Sequence, residues 1–94
     1  MQIKWLRTAL RNLDDEITFI AAENPQAAQQ TLSRILTAIA LLETQPSLGH
    51  PGRIPGTREL VVTNSRYLIP YRVNQQSIEI LRVFHTSRRL PQRW

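Results

Sequence analysis

The chain has no cysteine. That excludes a disulfide framework and any cysteine-ligated metal centre, and it fits a reducing compartment. No apolar run approaches the roughly 18 residues that span a bilayer, so no membrane association is expected. The opening residues Met1-Gln2-Ile3-Lys4-Trp5 lack the apolar stretch of a secretory signal peptide, and the expected location is cytoplasmic. Internal repeats and low-complexity segments are missing too. With 94 residues the chain fits a single domain over 1–94, too short to draw much surplus stability from its core.

Lysine is nearly missing as well. Lys4 is one of twelve basic residues, and the other eleven are arginine. Their placement is uneven. Residues 1–45 carry four basic groups against five acids, a net of −1, whereas residues 46–94 carry eight arginines against two acids, a net of +6. Simple solvation does not favour arginine over lysine, but bidentate recognition of carboxylate or phosphate does. A one-sided arginine excess therefore points to an acidic partner, protein or nucleic acid.

The apolar pattern has two periods. Ile3-Lys4-Trp5 reads as a short strand, and Thr8 is placed to cap a helix. Leu6, Leu10, Leu13, Ile17 and Ile20 then follow in steps of four and three, one face of a helix over about 8–22. Asn24-Pro25 breaks the pattern and restarts it, with Asn24 as N-cap and Pro25 as first helical residue. Ala28, Leu32, Ile35, Ile39 and Leu42 form the second stripe, in a helix over about 25–45. A short break between two amphipathic helices makes them an antiparallel hairpin. Residues 46–57 hold three prolines and three glycines and read as a long loop, a frequent site of function.

From Arg58 the period becomes two. Leu60 and Val62 point one way, with Glu59, Val61 and Thr63 opposite. Tyr67–Val73 is a second strand, with Ile69, Tyr71 and Val73 sharing a face. Ile78–Phe84 is a third and the most apolar. Asn64-Ser65-Arg66 and Asn74–Ser77 are the turns of an antiparallel meander. Pro70 cannot donate to a ladder, so it should lie at an edge or a bulge. The expected fold is α+β, of order β-α-α-β-β-β, with the helix hairpin on one face of a small antiparallel sheet and 86–94 as a flexible tail.

His85 ends the last strand among arginines and is the natural candidate for acid–base work. The absence of a paired His, Lys or carboxylate nearby in sequence favours the other reading, a strand-end histidine bonded locally. His50 lies in the loop, and two histidines so far apart make no metal site. Arg82 alternates with Ile80 and Phe84. It serves either anion recognition on an open sheet face or an internal salt bridge to Glu59 or Glu79. Arg88 and Arg89 have less structural role to play and suit partner contact. Trp5, Tyr67, Tyr71 and Phe84 fit packing better than base stacking. Trp94 is either a latch onto the domain or an anchor for a partner. Phe19, Leu36 and Leu41 fall away from the stripe centres and could form an exposed patch for a partner's helix or arm.

The element order, "NPQAAQ" between the helices, the loop "LGHPGRIPGTREL", the strand "RYLIPYRV" and the ending "IEILRVFHTSRR" together resemble the RelE/ParE superfamily of bacterial toxins, over about Ile3–Arg89. The resemblance implies a toxin neutralised by a small acidic antitoxin, with Phe19, Leu36, Leu41, Arg58 and Arg72 as antitoxin contacts. RelE-like members cut messenger RNA on the ribosome, whereas ParE-like members poison DNA gyrase. The positions best matching the cationic set of the nucleases read Glu59, Val61, Leu68, Thr86 and Gln92, none able to stabilise a phosphorane-like transition state. A one-residue slip would bring in Arg66 or Arg88. A Glu/Arg/His set could be imitated by Glu59, Arg72 or Arg82, and His85. "GTREL", "YLIPYRV" and "RVFHTSRR" look more like ParE. The expectation is a cofactor-free, metal-free binding inhibitor of gyrase using Arg82, His85, Arg88 and Arg89. The alternative is a ribosome-dependent endoribonuclease.

Overall fold

The computed structural model describes residues 1–87. In chain order the elements are β1 (Gln2–Trp5), α1 (Arg7–Glu23), α2 (Pro25–Ala40), a 3₁₀ turn (Leu41–Glu43), β2 (His50–Pro51), β3 (Arg58–Val61), β4 (Tyr67–Val73), β5 (Ser77–Ile80) and β6 (Phe84–His85). The architecture is the expected α+β one, a helix hairpin on a sheet. The sheet runs β1-β5-β4-β3-β2, with β6 also on β4. The meander is antiparallel, and β1 adds to β5 in parallel, with Gln2 opposite Ser77 and Trp5 opposite Ile80.

Both helix ends follow from local chemistry. Asn24 caps α2 through Oδ1, which accepts from the Ala27 N–H at 3.0 Å, with Pro25 at the first turn. Thr8 is not the cap of α1. The β1–β5 ladder runs on to Leu6, whose N–H donates to the Ile80 carbonyl at 3.0 Å, and the helix starts straight after it, at Arg7. The second helix stops at Ala40 rather than at Gln45, and its last apolar residue, Leu42, is carried inward by the 3₁₀ turn.

The core joins Ala9, Leu13, Ile35, Ile39 and Leu42 to the helix-facing residues of the sheet, Leu60, Tyr67, Ile69, Tyr71, Ile78 and Ile80. Leu10, expected in the first stripe, is half exposed, and Ala9 takes its place. A small residue there lets the helices approach closely. Val73 continues the face of Tyr71 but lies at the exposed strand end.

Two departures have one cause. Residues 78–84 are not one strand, because the ladder breaks at 81–83. The Pro70 carbonyl accepts from the Leu81 N–H at 2.9 Å. A residue's N and C=O point to the same side of a strand, so the proline nitrogen, which has no hydrogen, faces this break. Val83 then finds its partner outside the sheet, donating its N–H to Asn12 Oδ1 of α1 at 3.1 Å. Pro70 thus sits inside the longest strand, at an interruption as its chemistry requires. The loop 46–57 also contains strand, since His50 and Pro51 pair with Glu59 and Arg58.

Replacing Ile39, fully packed between α2 and the sheet, with Ala should cost about 2–5 kcal/mol in urea unfolding. Leu36→Ala, on the exposed side of the same helix, should cost less than about 1 kcal/mol. Equal costs would show that the stripe has been assigned to the wrong face.

Candidate functional site

The loop before β3 is held from beneath. Tyr71 is fully buried. Its hydroxyl donates to the Pro46 carbonyl at 2.7 Å and accepts from the Gly49 N–H at 2.8 Å. Burial pushes this phenol up in pKa, against the Gly49 bond and the nearby Arg58 charge, so it remains a donor. A Cβ at Gly49 would stand 2.7 Å from both the Glu59 carbonyl oxygen and the Tyr71 ring, so only glycine fits. Arg58 closes the same turn, its Nη1 donating to the Gly49 carbonyl at 2.7 Å.

Glu59 lies on the outer face of the sheet, opposite the helices, and is 2% exposed. It accepts from the Arg53 N–H and Nε, each at 3.0 Å, and from Nη2 at 3.3 Å. Burial pushes its carboxyl up. The hydrogen bonds and charge of Arg53, with a smaller contribution from His50, outweigh that and hold it below the usual carboxylate range. Arg82 does not pair with Glu59 or Glu79. Its Nη1 donates to the Leu81 carbonyl at 2.6 Å, within the ladder break. Glu79 pairs instead with Arg72 at 2.7 Å, an exposed pair across β4 and β5.

The outer face carries little cationic character where a nuclease of this fold would need it. Glu59 is neutralised by Arg53, Val61 is exposed and apolar, Leu68 is buried, and Thr86 is an exposed residue past β6. The Glu/Arg/His set is not brought together. Glu59 stands opposite Pro70 and His85 opposite Tyr67. That is three residues apart along β4, about 10 Å, and on opposite faces.

His85 faces the helices. Its ring meets Tyr67 edge-on, with centroids 5.2 Å apart. Its Nδ1 lies 3.2 Å from the Ser87 N–H and 2.6 Å from the Ser87 hydroxyl. Around it opens a cleft of about 290 Å³ lined by Phe19, Arg34, Arg66 and Tyr67 among others. On its floor the Tyr67 hydroxyl donates to Glu16 at 3.0 Å. Arg34 reaches across from α2, its Nη1 donating to the Asn64 carbonyl at 3.2 Å. The sequence reading gave no role to Glu16 or Arg34; only their tertiary neighbours single them out. Arg88, Arg89, Gln92 and Trp94, and the tail of which they are part, lie outside the described residues.

Beyond the Arg34–Asn64 contact a second groove continues between α2 and β3, lined by Leu41, Leu48, Leu60 and Val61. β2 accompanies β3 only at Arg58 and Glu59. The edge at Leu60 and Val61 has no strand beside it among the described residues. Phe19, Leu36 and Leu41 are all exposed, by 70%, 44% and 46%. They are spread along the hairpin from the first groove to the second. Arg58 and Arg72 lie apart from them, in the loop turn and on the outer face. Among the described residues no group of three or more His, Asp or Glu side chains could hold a metal, and no helix is long and apolar enough to cross a membrane.

A helix hairpin on this sheet, with the outer face and the cleft so arranged, defines a toxin fold of the RelE/ParE type. The family described as ParE toxin of type II toxin-antitoxin system, parDE, matches residues 3–90, and the chain belongs to it. It is 43% identical over 91 residues to the protein named "Putative toxin Y4kP" of Sinorhizobium fredii, covering 97% of this chain and 94% of that one. A structure of a chromosomal ParDE TA system from P. aeruginosa superposes with a TM-score of 0.81 at 27% identity, covering 90% of this chain and 95% of that one. A YoeB/ParE toxin from Agrobacterium tumefaciens shares the fold, with a TM-score of 0.57 at 18% identity over 90% of this chain and 98% of that one.

The Arg53–Glu59 pair sets a pH dependence. Glu59 titrates below its ordinary value of 4.5 in the folded chain. Its contribution to stability is therefore present above that value and lost as pH falls through the lower, folded one. The Tm difference between the native chain and Glu59→Gln should be widest near neutrality and should close in acid. A difference that stays constant down to about pH 3 would show that the pair does not stabilise the fold through its charge.

Proposed function

We propose that this toxin acts by binding DNA gyrase in the cytoplasm and is neutralised by a cognate acidic antitoxin. The observation that carries the binding reading is the outer face. The positions where a nuclease would hold its cations read Glu59, already matched by Arg53, then Val61 and Leu68. A binder needs complementary charge and a few anchors, whereas a nuclease needs an acid, a base and charge stabilisation held together. Gyrase as the target follows from the likeness to ParE. The contacts would come from Arg82 and His85, at the exit of the sheet, together with Arg88 and Arg89.

The antitoxin arm has a place that suits it. Phe19, Leu36 and Leu41 offer apolar anchors along the hairpin, and the free edge of β3 at Val61 offers main-chain hydrogen bonds. Arg58 and Arg72 would meet the arm's acidic side chains, although both are already tied within the domain. An arm that folds as it binds can cover so long a path.

Purified toxin should inhibit gyrase supercoiling or trap cleaved DNA while leaving ribosome-bound messenger intact. His85→Gln should weaken that action modestly, and Arg88→Gln with Arg89→Gln strongly. Cleaved transcripts on programmed ribosomes, abolished by His85→Gln, would establish the endoribonuclease reading instead. For the antitoxin, Phe19→Ala combined with Leu41→Ala should raise the Kd by about tenfold or more, two well-placed anchors being worth that much. Unchanged affinity in calorimetry would place the arm elsewhere.

A further inference from the structure

The cleft beside His85 is built from three walls. Arg34 comes from α2, Arg66 from the turn between β3 and β4, and His85 from β6, with Phe19 of α1 at the rim. The cleft lies on the helix side of the sheet, apart from the outer-face positions Glu59, Val61 and Leu68. Gyrase binding as proposed above draws on His85 but gives no role to Arg34 or Arg66.

Each polar wall has donors to spare. Arg34 spends one N–H on the Asn64 carbonyl, which draws its guanidinium over the cleft while leaving it exposed. Arg66 is exposed, and no acidic side chain among the described residues pairs with it. The Ser87 N–H at 3.2 Å and the Ser87 hydroxyl at 2.6 Å both engage His85 Nδ1, so Nε2 is the ring nitrogen left to a ligand. A carboxylate offers two oxygens in one plane. A phosphate offers oxygens in several directions and can be met from three walls at once. Glu16 also lines the cleft, where it accepts from the Tyr67 hydroxyl.

Size and the rim narrow the ligand further. About 290 Å³ is at the small end of ligand clefts and admits no duplex. Phe19 is 70% exposed and lends a free aromatic face at the mouth, the kind of surface on which an unpaired base stacks. We propose that this cleft is a nucleotide site, in which Arg34, Arg66 and His85 hold one phosphate and Phe19 stacks the attached base. The inference does not depend on gyrase being the target. The nucleotide could be free or part of an unpaired strand.

The test uses the full chain without antitoxin, a fluorescently labelled single-stranded oligonucleotide, AMP and inorganic phosphate. Anisotropy should report oligonucleotide binding, and NMR titration with AMP should shift the amides of Ser65, Arg66 and Tyr67. Arg66→Gln, on an exposed turn, should weaken binding about tenfold, as loss of a charge-assisted bond does. Arg11→Gln removes the same charge from α1 away from the cleft and should have little effect. Phe19→Ala should weaken AMP but not inorganic phosphate. Competition by AMP would identify a free nucleotide as sufficient, and binding of the oligonucleotide alone would identify a strand; both support the site. Equal weakening by Arg66→Gln and Arg11→Gln would reduce the cleft to general surface charge and overturn it. So would the absence of binding by every probe, with circular dichroism confirming that each variant is folded.

Discussion

A phenol hydroxyl inside the core holds the loop before β3 in place. Tyr71 belongs to the central strand and packs with Ile69, Ile78 and Ile80, yet its oxygen reaches the loop and bonds there on both sides, to Pro46 and Gly49. A buried hydroxyl without partners is costly, so loop and core are fixed together. The requirement for glycine at position 49, the turn closed by Arg58 and the start of β2 at His50 all follow from that attachment. From there the chain reaches Arg53 in position to cover Glu59. A segment rich in proline and glycine is thereby ordered from below as well as by its own bonds, from Gly52 to Thr57 and from Thr57 to Ile54.

The same attachments change the meaning of the charge count. Eight arginines in the second half suggested a broadly available basic surface. In the fold, Arg53 and Arg72 are matched by the two acids of that half, and Arg58 is turned onto loop carbonyls. Among the described residues of this half, the arginines with neither a carboxylate partner nor a bond into the long loop are Arg66 and Arg82, near the end of the sheet. Net charge describes long-range attraction, whereas the local partners decide which cations remain to meet a ligand.

Sequence periodicity read the hairpin and the meander well, because both rest on local patterns. Tyr67–Val73 emerged with its bounds intact, and Asn24-Pro25 marked the restart of the helix correctly. What periodicity lacked was the third dimension. Leu10 and Ala9 compete for the core by closeness of helix packing, which no spacing rule contains. The break at 81–83 depends on Pro70, eleven residues away, and on Asn12, on the other side of the chain. Glu59 was legible as a strand residue and as a possible ion-pair partner of Arg82, but its actual partner, Arg53, lay in the loop. Of the cleft, His85 and Arg66 stood out by type and position. Glu16 and Arg34 looked like ordinary helix surface, because their roles come from contacts 51 and 30 residues distant.

The parallel pairing of β1 with β5 has a consequence for the making of the protein. The first strand of the domain needs one made late: Gln2 pairs with Ser77 and Trp5 with Ile80. Until those residues emerge, the first strand has no neighbour, and the helices have only part of a sheet to cover. Contacts of such long sequence separation are also slow to close. The sheet that the helices cover is therefore assembled only after β5 has been made.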